Sequence, residues 1–265
     1  MPARSLRTME NLEPRLLLAS PVLAEHYPLM PTSKWEYAIT EDDGGTDTLN
    51  VKVARGTRRV NGHDASRVYY DDGGDRIQTF QNFNRRGKLL VHGGTFEDGE
   101  LFLQPPVALP QRLKAGLVKR TRGDIDVEFK GFEGDGDYRA VVRVGKERRI
   151  SVPAGTFAAV RVRVDLRFEA EQDILFGEGP EAEGHVKHVM WLARGVGIVR
   201  AEQSYELEAD FIIDEEEESG QSAQQLRSYS IAPAEDEKRA RADFATDVPR
   251  KDKPAERRET SDILL

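Results

Sequence analysis

From Val160 the chain alternates strictly between apolar and charged positions. Val160, Val162, Val164, Leu166 and Phe168 share one parity, and Arg161, Arg163, Asp165, Arg167 and Glu169 share the other. Successive side chains of an extended strand point to opposite faces, so this period predicts a strand with one dry and one wet face. Burying each of those apolar side chains is worth about 1.5–3 kcal/mol before entropy is subtracted, which is enough to fix the face that turns inward. The preceding Val152-Pro153-Ala154-Gly155 reads as a turn with proline second and glycine fourth, reversing the chain from a strand through 148–152. A second long alternation sets Val199, Ala201, Gln203, Tyr205, Leu207, Ala209, Phe211 and Ile213 against Arg200, Glu202, Ser204, Glu206, Glu208 and Asp210.

Shorter strands are predicted over 49–55, 67–70, 77–83, 89–91, 125–129, 138–144 and 186–192. They are separated by the turn-rich runs "DDGG", "DDGGD", "RRG", "EDGE" and "EGDGD". No extended helical period occurs between residues 30 and 212, so parallel crossover units are not expected. The reading is an all-β protein built as an antiparallel meander. The proline-rich segment 105–116 is expected to be a long connection between its earlier and later strands. After Asp214 the composition turns acidic and small ("DEEEESGQSAQQ"), then mixes charges with Pro and Ala. Residues 214–265 are therefore expected to be a disordered charged tail, with a short helix at most near 235–244. The predicted organisation is a signal or sorting segment over 1–25, an antiparallel β domain over 26–213 and that tail.

Composition narrows the function classes. With 39 Lys and Arg against 47 Asp and Glu, the formal net charge is -8, and both signs are interspersed, which argues against a surface dedicated to nucleic acid. The chain has no cysteine, which excludes disulfides, thiolate metal sites and cysteine nucleophiles. No apolar run reaches the roughly 18–20 residues of a spanning helix, so no transmembrane span is expected.

Arg4, Arg7 and Arg15 precede an apolar stretch from Leu16 to Ala24, the layout of a short signal peptide, with Val22 and Ala24 as the small residues of a cleavage site. Within it, Leu12, Glu13, Pro14, Arg15, Leu17 and Leu18 resemble the Leu-Glu-Pro-Arg-x-Leu-Leu sorting motif of bacterial exported and surface proteins. The expected location is outside the cytoplasm: periplasm, cell surface or secreted.

Four stretches of the body carry a further resemblance: "YPLMPTSKWEY" (27–37), "PPVALPQRLKAG" (105–116), "ISVPAGTFAAVRVRV" (150–164) and "WLARGVGIVRAE" (191–202). Together they resemble a bacterial family of exported β-rich proteins marked by Val-Pro-Ala-Gly-Thr-Phe and Trp-x-Ala-x-Gly-Val-Gly motifs. The resemblance implies a curved antiparallel sheet or half-barrel like that of lipoprotein carriers, with no established catalytic residues.

The residues themselves offer little chemistry. His185 and His188 lie three apart, which on a strand puts their rings on opposite faces, so they are not expected to share a metal. The acidic clusters Asp42-Asp43, Asp71-Asp72-Asp75 and Asp135-Asp137 read as hairpin turns rather than calcium loops. No nucleophile elbow, phosphate loop or His-Glu-x-x-His motif is present, and no cofactor is expected. The expectation is a non-catalytic binding or structural protein of the cell envelope, whose partner is an apolar ligand or an envelope protein. The alternatives are a carrier of an apolar ligand in a half-barrel groove and a hydrolase with an unrecognised site. The aromatic residues expected to line a ligand groove are Trp35, Phe157, Phe168, Trp191, Tyr205 and Phe211.

Overall fold

A computed structural model describes residues 20–41, 44–73, 76–96, 99–129, 132–172, 179–210 and 215–232. A short helix α1 (Leu23–His26) precedes the strands β1 (Lys34–Glu41), β2 (Thr46–Val60), β3 (His63–Asp71), β4 (Arg76–Phe83), β5 (Leu89–Phe96) and β6 (Gly99–Leu109). Then follow β7 (Val118–Phe129), β8 (Phe132–Val152), β9 (Gly155–Glu171), β10 (Glu181–Ala193), β11 (Gly197–Asp210) and β12 (Glu215–Ser230). Every strand pairs antiparallel with its sequence neighbours, and β12 pairs with both β11 and β1, so the sheet closes into an up-and-down barrel.

The alternation in β9 decides the barrel wall. Val162 faces Val144 on β8 and Met190 on β10, and Val164 faces Val142 and His188. Val162, Val142 and Val160 are buried in the core on this parity, while Arg161, Arg163 and Glu169 point outward. Gly184 sits opposite Phe168, and a Cβ at Gly184 would lie 2.1 Å from that ring. The glycine therefore makes the space that the aromatic side chain fills. Pro153 and Ala154 form the two-residue reversal between Val152 and Gly155, at the positions the sequence assigns to the turn.

Several expectations are corrected. The sheet is a closed barrel rather than a half-barrel, because a strand lies beyond the predicted domain end at 213. Residues 215–230, read as the start of a disordered tail, form β12, and Leu226 on it is fully buried. The acidic "EEEE" run begins this strand instead of a linker. Its polarity concealed a ladder whose energy lies in backbone pairing on both sides, which composition does not report. The helix considered near 235–244 lies outside the described residues.

Next, the proline-rich segment is not one long connection. Residues through Leu109 belong to β6, which stays paired with β5, while its ladder with β7 runs only from Gly99 to Gln104. Pro105 and Pro106 have no N–H to donate, so the partner on one side is lost where they begin. Gly123 on β7 lets the proline come close: a Cβ there would lie 2.3 Å from Pro105 Cδ. Finally, "EGDGD" (133–137) is no turn but the start of β8, the reversal falling just before it.

The barrel has two unlike ends. Residues 20–33 cross one end and close it. Leu23 N–H donates to the Gln111 carbonyl at 2.8 Å, Leu113 N–H donates to Pro21 at 2.7 Å, and Val22 forms a β-bridge with Arg112. Leu23 is 0% exposed, packed in the same core as Leu113 and Val144. Residues 21–25 thus pack against the barrel, and cleavage after Ala24 would take a core side chain with it. Trp35 and Tyr37 complete the plug: the Trp35 indole donates to the Val196 carbonyl at 2.5 Å and the Tyr37 hydroxyl to that of Ile198 at 2.9 Å. At the opposite end acidic residues stand at or beside several strand ends, among them Glu41, Asp72, Glu128, Glu133, Glu171 and Glu181, while β4 begins there at Arg76.

Candidate ligand-binding lumen

Behind the acidic end the barrel encloses a cavity of about 730 Å³, not filled by its own side chains. Its wall is apolar over most of its area, supplied by Ile39, Leu49, Leu103, Val107, Val164 and Met190 from five different strands. Each occupies the inward parity of its strand, so the same alternation that buries the core also greases the lumen. A second, much smaller space of about 20 Å³ lies toward the closed end between Tyr27, Trp35, Tyr37 and Val53.

Polar groups punctuate this wall in several places, with Ser219, Gln221, Ser222 and Gln224 lining it from β12. On one side Tyr27, Tyr70, Thr79 and Gln81 converge. Gln81 Nε2 donates to the Thr79 hydroxyl at 2.8 Å, whereas the buried Gln81 Oε1 has no partner among the described residues. Burial raises the Tyr27 pKa well above the usual phenol value, and the neighbouring Tyr70 hydroxyl adds to the rise. Burial raises Tyr70 likewise, partly offset by its bond to Tyr27, so both hydroxyls remain protonated and neutral. On the other side His188 projects into the lumen between Val164 and Gln203, its neighbours across the ladder. Burial with no hydrogen-bond partner among the described residues lowers His188 to about 4, so it is uncharged at neutral pH. Its strand neighbour His185 points outward, 3.7 Å from Glu206, as the three-residue spacing requires. Among the described residues no cluster of three or more His, Asp or Glu side chains is placed to hold a metal.

The six aromatic residues expected to line a groove are scattered, and of those described only Tyr205 lines the large cavity. Phe168 points inward but is packed into the core at 5% exposure. Trp35 plugs the closed end, beside the small space. Trp191 faces outward, its ring between the guanidinium groups of Arg161 at 5.8 Å and Arg200 at 5.1 Å. Phe157 lies on the arm that β8 and β9 extend past their register break, where Ala154 N–H donates to the Leu226 carbonyl and Phe157 meets Tyr229 edge-on. Phe211 lies outside the described residues. Most of these rings fill plugs and edges, whereas Tyr205, with Tyr27 and Tyr70, stands on the cavity wall. The aliphatic members of each alternating run, such as Val164 and Leu166 on the parity of Val162, were the signal that finds the wall.

A further satellite sits outside the barrel. Thr79 and Gln81 line the lumen, so Phe80 between them points outward, and the tip of the β2–β3 hairpin covers it with Val60 and Ala65. Arg58 lies 4.9 Å above the Phe80 ring and Phe102 stacks at 5.8 Å. Beside this patch the buried His92 donates its Nε2–H to Asn82 Oδ1 at 3.0 Å, with the His63 ring 5.3 Å away. Burial, with a smaller contribution from His63, lowers His92 to about 4.

These features define a closed antiparallel barrel with an apolar interior and a charged exterior. A barrel set in lipid shows the reverse, an apolar outward band around a polar lumen. No described helix is long and apolar enough to cross a membrane. No known family model and no curated protein matches the sequence. Two solved structures are similar in part. One is a protein of Parabacteroides distasonis named as a lipoprotein, at 15% identity and a TM-score of 0.38, covering 77% of this chain and 98% of its own. The other, from Bacteroides fragilis, is named as an exported protein with a YmcC-like fold, at 13% identity, a TM-score of 0.38 and the same coverage.

Proposed function

We propose that the protein is a non-catalytic carrier that holds an apolar ligand inside the barrel. The observation that carries this reading is the open lumen of about 730 Å³, which falls within the roughly 300–1,000 Å³ of small-molecule sites and is walled chiefly by aliphatic side chains. A purely structural barrel of this construction fills its interior, as the core around Val162 does toward the closed end of the same wall. Turnover is not supported by the interior. His188 is its one histidine and has no carboxylate or hydroxyl bonded to it among the described residues, so no activated nucleophile or acid–base pair is assembled there.

The test is titration of the full chain with the neutral dye N-phenyl-1-naphthylamine. Fluorescence should rise saturably on native protein. Gln203→Trp, which adds bulk to the lumen wall, should abolish the rise, and Ser204→Trp on the other face of β11 should leave it intact. A dye that stays dark on all three, or one displaced by neither substitution, removes the carrier reading.

The proposed site of action is outside the cytoplasm, supported by the basic and apolar amino end and its Leu-Glu-Pro-Arg-x-Leu-Leu match. Because Leu23 is core, any processing should cut ahead of Ser20. Sequencing of the mature protein from its host checks this, and an intact amino terminus in a cytosolic pool overturns it.

A further inference from the structure

One level of the lumen wall is polar across four neighbouring strands. His188 on β10 stands opposite Gln203 on β11, Gln203 opposite Ser222 on β12, and Ser222 opposite Glu41 at the exposed end of β1, and all four line the cavity. The next row toward the closed end holds Met190, Ala201 and Gln224, and the next toward the mouth holds Val186, Tyr205 and Gly220. On its other side His188 meets Val164, where the aliphatic wall resumes. Among the described residues the side chains of His188, Gln203 and Ser222 have no hydrogen-bond partner, and each keeps part of its surface open, toward the lumen that it lines. The cluster around Gln81 differs: Tyr27 bonds Tyr70, Gln81 bonds Thr79, and the unpartnered Gln81 Oε1 is buried rather than open.

A plain hydrocarbon lying across this row would strip water from three polar side chains and offer them nothing in return, a penalty that a ligand removes by carrying a polar group at the same level. Gln203 is the middle of the three, one strand spacing of about 4.8 Å from each neighbour, so one small group seated over it faces them all. A neutral imidazole, an amide and a hydroxyl each supply a donor and an acceptor. A ligand hydroxyl does both as well, which an ether or a halide does not.

Resting on the carrier reading, we propose that the lumen takes an uncharged apolar ligand bearing a hydroxyl, seated on the row of His188, Gln203 and Ser222 with its hydrocarbon against the aliphatic wall. Burial keeps His188 neutral, so at neutral pH the row binds by hydrogen bonding rather than by pairing an anion.

The experiment displaces bound N-phenyl-1-naphthylamine from the full chain with decan-1-ol and with 1-chlorodecane, the same chain with an end that does not donate, each below its solubility limit. The dye's own affinity is measured first on every variant. Both compounds should displace the dye from the wild type. The double variant His188→Leu/Gln203→Leu should weaken decanol about tenfold, because its hydroxyl then faces an apolar wall, and should leave chlorodecane equal or tighter. Retained chlorodecane binding shows at the same time that the variant is folded. Ser222→Ala, the mildest change in the row, should shift decanol in the same direction with chlorodecane unmoved, and Ser204→Leu on the outer face of β11 should shift neither. Failure of both compounds to displace the dye from the wild type counts against the carrier reading itself. Displacement by both, with decanol and chlorodecane changing by the same factor in the double variant and in Ser222→Ala, overturns the hydroxyl inference alone.

Discussion

Ending the chain at Asp214 should unfold the protein, although composition alone marks that point as the end of the ordered domain. The truncation removes β12, which pairs with β1 from Lys34↔Ser230 to Glu41↔Ser222 and with β11 from Arg200↔Gln225 to Asp210↔Glu215. It deletes the fully buried Leu226 and uncovers its neighbours Tyr37, Ile39 and Ala201, all buried in the closed barrel. Removing a buried leucine side chain alone costs about 2–5 kcal/mol, and unsealing an isoleucine adds about 1.5–3 kcal/mol. That sum reaches the lower part of the roughly 5–15 kcal/mol available to a folded domain, before the two new sheet edges are counted. Thermal unfolding of three chains, ending at Asp214, at Ala232 and at Leu265, checks this by circular dichroism and dye binding. The chain ending at Ala232 should melt with the full-length protein, and the chain ending at Asp214 should lack a cooperative transition and bind no dye. Equal melting of all three would mean that β12 does not close the barrel, and the lumen argument would fall with it.

Two further outcomes follow from the same geometry. Val162→Asp places a carboxylate at a fully buried inward position and should lower stability by several kcal/mol, whereas Arg163→Asp, on the wet face beside Asp165, should change it by about 1 kcal/mol or less; comparable losses in urea melts would contradict the assignment of faces. The buried histidines set a pH window: His188 and His92 fall from the ordinary 6.5 to about 4, so the unfolded chain binds protons that the native state refuses, and stability should be full above pH 6.5 and decline as pH falls toward 4. Each complete shift corresponds to about 3 kcal/mol, so His188→Gln should flatten part of the slope between those limits, and a variant whose urea midpoint falls as steeply as the wild type would refute the burial of a neutral ring.

Much of this barrel was present in local alternation. The inward run from Val160 to Phe168, the turn at Pro153, the opposite faces of His185 and His188 and the all-β class each depend on neighbours in sequence, and a period of two reports them directly. The alternation also names the lumen wall, since a side chain such as Val164 has the same parity whether it meets a core or a cavity. What periodicity does not carry is the distance between the two walls it predicts.

Only the tertiary structure decided that the sheet closes, that an acidic stretch after Asp214 supplies the closing strand, and that residues 20–33 stop one end. Closure depends on backbone ladders between β12 and β1, elements almost two hundred residues apart, and those bonds are blind to side-chain composition. The same holds for the aromatic residues: Trp35 reaches Val196 across the closed end, and Trp191 stands outward between two arginines, positions fixed by a register break and a plug rather than by the rings themselves. A sequence states which face of each strand is dry. The number of strands in the ring, and the plug that spares part of its interior, determine whether that dry face becomes solid core or an open lumen.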